Sequence, residues 1–403
     1  MTDSTLAFLR DGYLFGTRLL DRSGADAACT RLLGRPVTVL RGVEGVRFFY
    51  EGGRFDRAGA MPMSVLAVLQ DLGSVQTLEG EEHLRRKDLF LDLATGPSGA
   101  ELVVAFEREL LAEAESGRSR GDVRALDLFN AVLTRAVCAW AGLPVRVRQE
   151  LERTDVLAQM VEAAGSFGVY NRVVRVRRRR AERMLADAVI AERAAPSAPP
   201  GSPLAVVAAY GEPDPLPPEV AAVELLNLLR PTVAVSRFLT FAVHALHRHP
   251  GWRDRIAGGD DDAVRWFANE VRRFYPFFPV VGGRATRSMQ GAGLDWREGD
   301  WALLDLYATN HDPRLWSAPR RFRPQRFEGL TVEPNTLVPQ GGGRYREDHR
   351  CPGEPVTVDL LDAGIRLLTR RLRYLVPEQD LRISLRRLPA LPQDGMVVSG
   401  LVA

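Results

Sequence analysis

The sequence predicts a mainly helical fold, a large helical body with small β-sheets. Long stretches place apolar residues three and four positions apart, the spacing that gives a helix one apolar face. Alternating β-branched runs are few and short. With 45% hydrophobic and 26% charged side chains, the 403 residues can fill a large core, and nothing suggests a disordered, collagen-like or coiled-coil chain.

Along the chain, strand signals come first, at residues 36–50. Helical spacing then predicts helices over 81–93, 99–115, 125–141, 146–164 and 172–194. The run 172–183 contains seven arginines and reads as a solvated helix face. It lacks the interleaved aromatic residues that stack nucleic-acid bases, so nucleic-acid binding is set aside. The proline-rich segment 195–218 reads as a surface loop rather than a linker. The helix expected after it, 217–248, needs material from both halves of the chain to bury its apolar face, so one domain over 1–403 is expected. A helix over 261–274 follows, then strand signals in 283–306 and from 373 onward, divided by turns such as Arg297-Glu-Gly and Gln393-Asp-Gly. A last helix is expected over 355–372. No internal repeat is seen.

Fifty-four basic against 51 acidic side chains leave a formal charge of +3, which announces neither a polyanion binder nor an acidic tail. Cys29, Cys138 and Cys351 lie far apart, and so odd and sparse a set argues against both a disulfide framework and a C-x-x-C metal site. No apolar stretch reaches the roughly 18 residues of a membrane span. The start, Met-Thr-Asp-Ser-Thr, lacks the regions of a signal peptide. A cytoplasmic protein without a membrane partner is expected.

The chemistry concentrates near the C-terminus. A glycine-rich loop, Pro339-Gln-Gly-Gly-Gly to His349-Arg-Cys-Pro-Gly-Glu354, ends in one cysteine just before a helix. Basic neighbours His349 and Arg350 and the helix N-terminus favour the Cys351 thiolate. The glycines would let a flat cofactor approach the backbone. Such a thiolate is a good single axial ligand for haem iron.

Two further motifs stand upstream. Glu270-Val-Arg-Arg273 places an acid and an arginine on one helix face, and Pro319-Arg-Arg-Phe-Arg-Pro-Gln-Arg-Phe327 supplies Arg326. With the cysteine loop, this ordered set resembles the cytochrome P-450 superfamily. The resemblance implies that fold, with haem between the long central helix and the cysteine loop, and a structural ion network of Glu270, Arg273 and Arg326. The extra residues between Gly343 and Cys351, with Asn227-Leu-Leu-Arg-Pro231 and Arg272-Arg-Phe-Tyr-Pro-Phe277, narrow the likeness. From about Phe48 to Leu375 the chain is similar to the bacterial fatty-acid peroxygenases, which include hydroxylases and alkene-forming decarboxylases.

Most superfamily members carry an acid followed by a threonine in the central helix to deliver protons; here those positions read Arg230-Pro231. A proline inside a helix removes a backbone hydrogen bond and marks a kink. Arg230 offers a planar cationic fork suited to a carboxylate, or else an internal salt bridge to Glu224. The resemblance implies haem b as cofactor and hydrogen peroxide as co-substrate, with no redox partner required. The substrate's own carboxylate, anchored by Arg230, would serve as acid and base, with oxidation at Cα or Cβ. It further implies Arg57, His83 and Lys87 at the haem and Gln76 at the distal position. Glutamine there accompanies hydroxylation, and histidine accompanies the best-known decarboxylase. Gln70, where a pocket phenylalanine is expected, departs from the family pattern.

Several readings stay open: decarboxylation to a terminal alkene, oxidation of a non-lipid acid in a biosynthetic pathway, and a ferredoxin-fed monooxygenase docking on the arginine-rich surface. A haem protein that carries or senses a ligand without turnover is the non-enzymatic alternative.

Overall fold

The computed structural model describes residues 2–403 apart from 63–64, 66–67, 70–73 and 167. The helices that matter for the site are α1 (Gly42–Tyr50), α2 (Gly80–Ala94), α3 (Gly96–Glu115), α4 (Ala125–Trp140), α5 (Val145–Thr154), α6 (Val156–Ala163), α7 (Val169–Ala194), α8 (Pro218–Ala234), α9 (Ser236–Arg248), α10 (Asp261–Phe274) and α11 (Glu354–Arg370). The main apolar core is shared by α2 to α11 and reaches Met396, Val398 and Leu401 near the C-terminus. Two helices, Thr5–Asp11 and Phe15–Ser23, precede the first strand.

A five-stranded sheet takes the order β1 (Ala27–Leu32), β2 (Arg35–Leu40), β8 (Trp301–Asp305), β5 (Val280–Ala285), β3 (Phe55–Asp56). Only β2 and β8 run parallel, with Thr38 opposite Ala302. The strands β4 (Val123–Arg124), β10 (Val397–Val402) and β9 (Arg373–Leu375) form a three-stranded sheet, and β6 (Met289–Gly291) pairs with β7 (Leu294–Trp296) as a hairpin. At the end of β8, Asp305 accepts a 2.7 Å hydrogen bond from Ala308 N and so caps the short helix Leu306–Asn310.

Three sequence expectations change. Residues 36–50 are not all strand: after β2, Gly45, Val46, Phe49 and Tyr50 are buried on one face of α1, a helical period inside a β-branched and aromatic composition. The helix expected over 146–164 divides at Asp155, which adopts a left-handed backbone (φ 50°) between α5 and α6. The long central helix divides at Val235, whose N–H bonds Thr232 O at 3.1 Å. Pro231, one turn earlier, has no N–H to give to Asn227 O, so the regular ladder is interrupted there. The segment 195–218 is a surface connection with its own short helix, Pro203–Ala209. It is tied down where Glu192 accepts from Ser197 N and Ala198 N, both at 2.9 Å. Among the described residues no single helix is long and apolar enough to cross a membrane.

Candidate haem and substrate site

The cysteine loop is held from both sides by buried ion pairs. In α10, Arg273 grips Glu270 through both guanidinium branches (2.7 and 2.8 Å), and Arg326 adds a third charge at 3.0 Å. Glu270 also accepts from Arg323 N at 2.7 Å, while Arg273 donates to Asn310 O and Pro319 O, so the meander is fastened to α10. The neighbouring Arg272 pairs with Glu354, the first residue of α11, and Glu354 also accepts from Arg350 Nε at 2.7 Å. Sequence reasoning missed this second lock, although the Arg272-Arg273 doublet and the acid three residues after Cys351 were its signal.

Cys351 sits where this loop enters α11, its N–H directed at Gln340 O (3.4 Å) and its Sγ 3.8 Å from Gln340 Nε2. Burial pushes its thiol pKa up, and Glu354 adds to the shift; the Gly353 amide, Lys87 and Gln340 pull the other way. The expected help from basic neighbours is not there. Arg350 is spent on Glu354, Pro334 O and Gly343 O. Burial, with Arg57 and Lys87 nearby, holds His349 well below the usual imidazole range. The glycines also serve the packing of the loop itself. A Cβ on Gly342 would meet Val46 at 2.4 Å, one on Gly341 the Tyr50 hydroxyl at 2.6 Å, and one on Gly343 Asp348 at 2.8 Å. They let the loop approach α1 and its own turn at Asp348 closely.

Around the loop the basic residues of α2 converge. Lys87, the only lysine in the chain, is buried and donates to the carbonyls of Asp348 and Arg350, the latter at 2.7 Å. His83 stacks on His349 with ring centroids 4.0 Å apart, and His349 lies 3.0 Å from Glu79. Arg57 spans Gly282 O (2.7 Å) and the ring of Phe49 (4.7 Å). Burial lowers Lys87 to about 8 and His83 to about 3. Among the described residues this concentration of donors is set against the carboxylates of Glu79 and Asp348. It matches the needs of a haem: a lone sulfur at a helix start beside donors for two propionates. The residues fit the group.

Above this, α8 presents Glu224, Asn227 and Arg230 three residues apart and therefore on one face. Arg230 is 4% exposed. Its Nη2 donates to Asn227 Oδ1 at 3.3 Å, while its Nη1 is buried without a hydrogen-bond partner. Burial and the like charge of Arg178 push the guanidinium down to about 9, while Cys351 is near enough to act in the opposite direction. At neutral pH it remains a cation with an open donor. The salt bridge to Glu224 is not formed. Glu224, 0% exposed, is taken by Arg86 Nη1 (2.5 Å), Asn227 Nδ2 (3.0 Å) and Val75 N (3.0 Å).

Through Val75 that clamp fixes the turn carrying Gln76. With its carboxamide donating to Leu69 O (3.3 Å), Gln76 Oε1 accepts from Arg230 Nη2 at 3.2 Å; turned over, its Nε2 donates to Asn227 Oδ1 at 3.3 Å. Either way Gln76 joins the Arg230 platform. The structure thus brings Gln76 to Arg230, with Pro231 beside it, and groups Arg57, His83 and Lys87 around the cysteine loop. Gln70 lies outside the described residues. Asn227, Glu224 and Arg86 were missed as site residues; the three-residue spacing in α8 signals the first two, while Arg86, on α2, reaches them only through the fold.

The family model for cytochrome P-450 matches residues 263–391, from α10 through Cys351. Among curated proteins, cytochrome P-450 71B23 of Arabidopsis thaliana is 30% identical over 137 residues, and cytochrome P-450 3A11 of Mus musculus 24% over 145. Those alignments span about a quarter of the length of the curated relatives, 26% and 29%. Solved structures match throughout. A variant of cytochrome P450SP alpha (CYP152B1) superposes with a TM-score of 0.94 and 38% identity over 99% of this chain and 98% of that one. Cytochrome P450EX alpha (CYP152N1) with myristic acid gives 0.94 and 36%, covering 99% and 97%. A variant of the cytochrome P-450 OleT in complex with arachidonic acid gives 0.94 and 31%, covering 99% and 96%. With the cysteine loop, the α10 ion network and the α8 arginine in place, this agreement over the whole chain shows that the protein belongs to the bacterial fatty-acid peroxygenase family of the cytochrome P-450 superfamily.

Proposed function

We propose that this protein holds haem b through Cys351 and uses hydrogen peroxide to hydroxylate a carboxylic acid of the fatty-acid class at Cα or Cβ. The observation that carries the proposal is Arg230: a buried cation with one guanidinium nitrogen unpartnered, standing where an acid and a threonine would otherwise manage protons. The myristic and arachidonic acids of the structural relatives support the substrate class.

Haem, when bound, supplies the oxidising chemistry; the chain supplies position and proton control. Nη1 and the shared Nη2 of Arg230 grip the substrate carboxylate, which then accepts and returns the proton that Arg230-Pro231, standing in place of an acid and an alcohol, cannot handle. Asn227 and Gln76 fix the plane of the guanidinium. Anchoring the carboxylate brings the adjacent carbons nearest the reacting centre, so regiochemistry is a positioning effect. The interrupted helix after Pro231 shapes the roof of the site. Each buried methylene adds about 0.8 kcal/mol, which favours long chains. Gln76 does not titrate near neutrality, which supports hydroxylation over decarboxylation. Arg57, His83 and Lys87 hold the propionates, and Glu270, Arg273 and Arg326 keep the loop rigid. We further propose one haem-thiolate domain over 1–403, a cytoplasmic setting and no need of a redox partner.

The test is product analysis by mass spectrometry after mixing the ferric protein, hydrogen peroxide and a panel of fatty acids without any reductase. Hydroxy acids are expected. Alkenes would replace hydroxylation by decarboxylation, and no product with an intact thiolate haem spectrum would overturn the peroxygenase reading.

A further inference from the structure

The helix α7 runs along α8, and its inner side, with Asn171, Val174, Arg178 and Ala181 buried, covers the region of Arg230. Its outer side is unusual. Val169, Arg172, Val173, Val176, Arg179 and Arg183 recur every three or four residues and are all exposed. Val169 is 78% and Val176 66% exposed, and Tyr170 flanks them. Leaving apolar side chains in water on the same stripe as cations serves no folding purpose.

Several of its arginines also have no carboxylate partner among the described residues. Arg177 and Arg180 on the flank have partners in Gln159 and Glu150, and Arg178 pairs with Glu182. Among the described residues no carboxylate lies within ion-pair distance of Arg172, Arg175, Arg179 or Arg183. An acidic protein would need only the cations. A surface that takes cations and small apolar side chains together is the headgroup boundary of a bilayer containing anionic lipid.

We propose that the outer face of α7 docks this protein reversibly on an anionic lipid bilayer, arginines at the headgroups and the valine stripe in the boundary below them. The expectation of a merely solvated face arose because the sequence does not reveal which of Val173, Val174 and Val176 points outward; only Val174 is buried. Docking there sets the covering helix of the site against the phase in which long-chain acids partition. The proposal does not depend on the fatty-acid reading, since binding is measured without substrate.

The test is co-sedimentation of the haem-loaded protein with extruded vesicles. Phosphatidylglycerol–phosphatidylcholine vesicles at low salt should bind it, pure phosphatidylcholine should not, and salt well above the physiological range should release it. Each arginine near such a surface strengthens binding about fivefold, so Arg172→Glu with Arg179→Glu should weaken it by at least roughly 25-fold. Val173→Asp with Val176→Asp should weaken it even at low salt. Arg287→Glu with Arg297→Glu, exposed on the sheet side, makes the same change of net charge and should leave most of the binding intact. Failure of the parent protein to bind anionic vesicles at low salt overturns the proposal and leaves an acidic protein as the partner of this face. An equal loss in the sheet-side control overturns it in favour of unspecific charge attraction.

Discussion

Replacing Arg230 by methionine keeps much of the side-chain length, removes the charge, and separates binding from folding. In the folded chain burial, with Arg178 adding to it, holds the guanidinium at about 9 against an ordinary 12.5. That depression corresponds to a destabilisation on the order of 5 kcal/mol, present at every pH below about 9 and relieved only as pH rises beyond it. The methionine variant should therefore melt at or above the parent's temperature. Catalysis should move the other way. A carboxylate on Nη1 and Nη2 makes two charge-assisted hydrogen bonds of about 1.5–3 kcal/mol each, so kcat/KM should fall by roughly a hundredfold to ten-thousandfold. Arg230→Lys keeps a point charge without the fork and should lose about ten- to hundredfold. The assay is hydroxy-acid formation from myristic acid and peroxide, read by mass spectrometry beside calorimetric melting. A methionine variant that melts well below the parent, or that hydroxylates as well as the parent, refutes the reasoning.

Three other perturbations test the frame around the site. Glu224→Gln leaves the buried Arg86 cation with only its 3.4 Å contact to the exposed Glu82 and should destabilise the fold by up to about 3–5 kcal/mol in urea unfolding, whereas Arg86→Met added to Glu224→Gln should recover part of that loss; an equal loss in the double variant would show that the stranded charge is not its source. Gln76→His places a titratable group beside Arg230 and should raise the alkene fraction of the products, with a pH dependence between about 5 and 8 that the parent lacks. Burial raises Asp305 to about 7, so the folded chain holds a proton there that the unfolded chain releases above about 3.8. Its contribution falls as pH rises through that window, by about 4 kcal/mol in total. Asp305→Asn keeps the cap on Ala308 N and should flatten that part of the stability–pH curve; an unchanged slope would rule out Asp305 as its source.

Much of the site was legible because its chemistry is written in local spacing. Glu270 and Arg273 had to share a helix face, and Cys351 had to stand at a helix start, whatever the rest of the chain did. Arg230-Pro231 was legible as a cation next to a helix break. The partners were not. Whether Arg230 is open or tied to Glu224 depends on Arg86, 138 residues away from Glu224 in the chain, reaching that carboxylate first. The same holds for Arg272 and Glu354, 82 residues apart. The reading of residues 42–50 as strand failed because aromatic and β-branched residues suit both periods, and contact with the sheet and the glycine loop decided for helix.

The sequence by itself determined the helical class, the lone cysteine at a helix start and the absence of an acid–alcohol pair in the central helix, since each follows from residue type and short-range period; the family followed from the resemblance of its motifs to known proteins. The tertiary structure alone decided how charges are distributed among partners. It gave Glu224 to Arg86, left one nitrogen of Arg230 open, withheld Arg350 and His349 from the thiol, and turned Val173 and Val176 outward. The physical reason is that a buried charge is defined by what else is buried with it, and that company is chosen by packing across the whole chain.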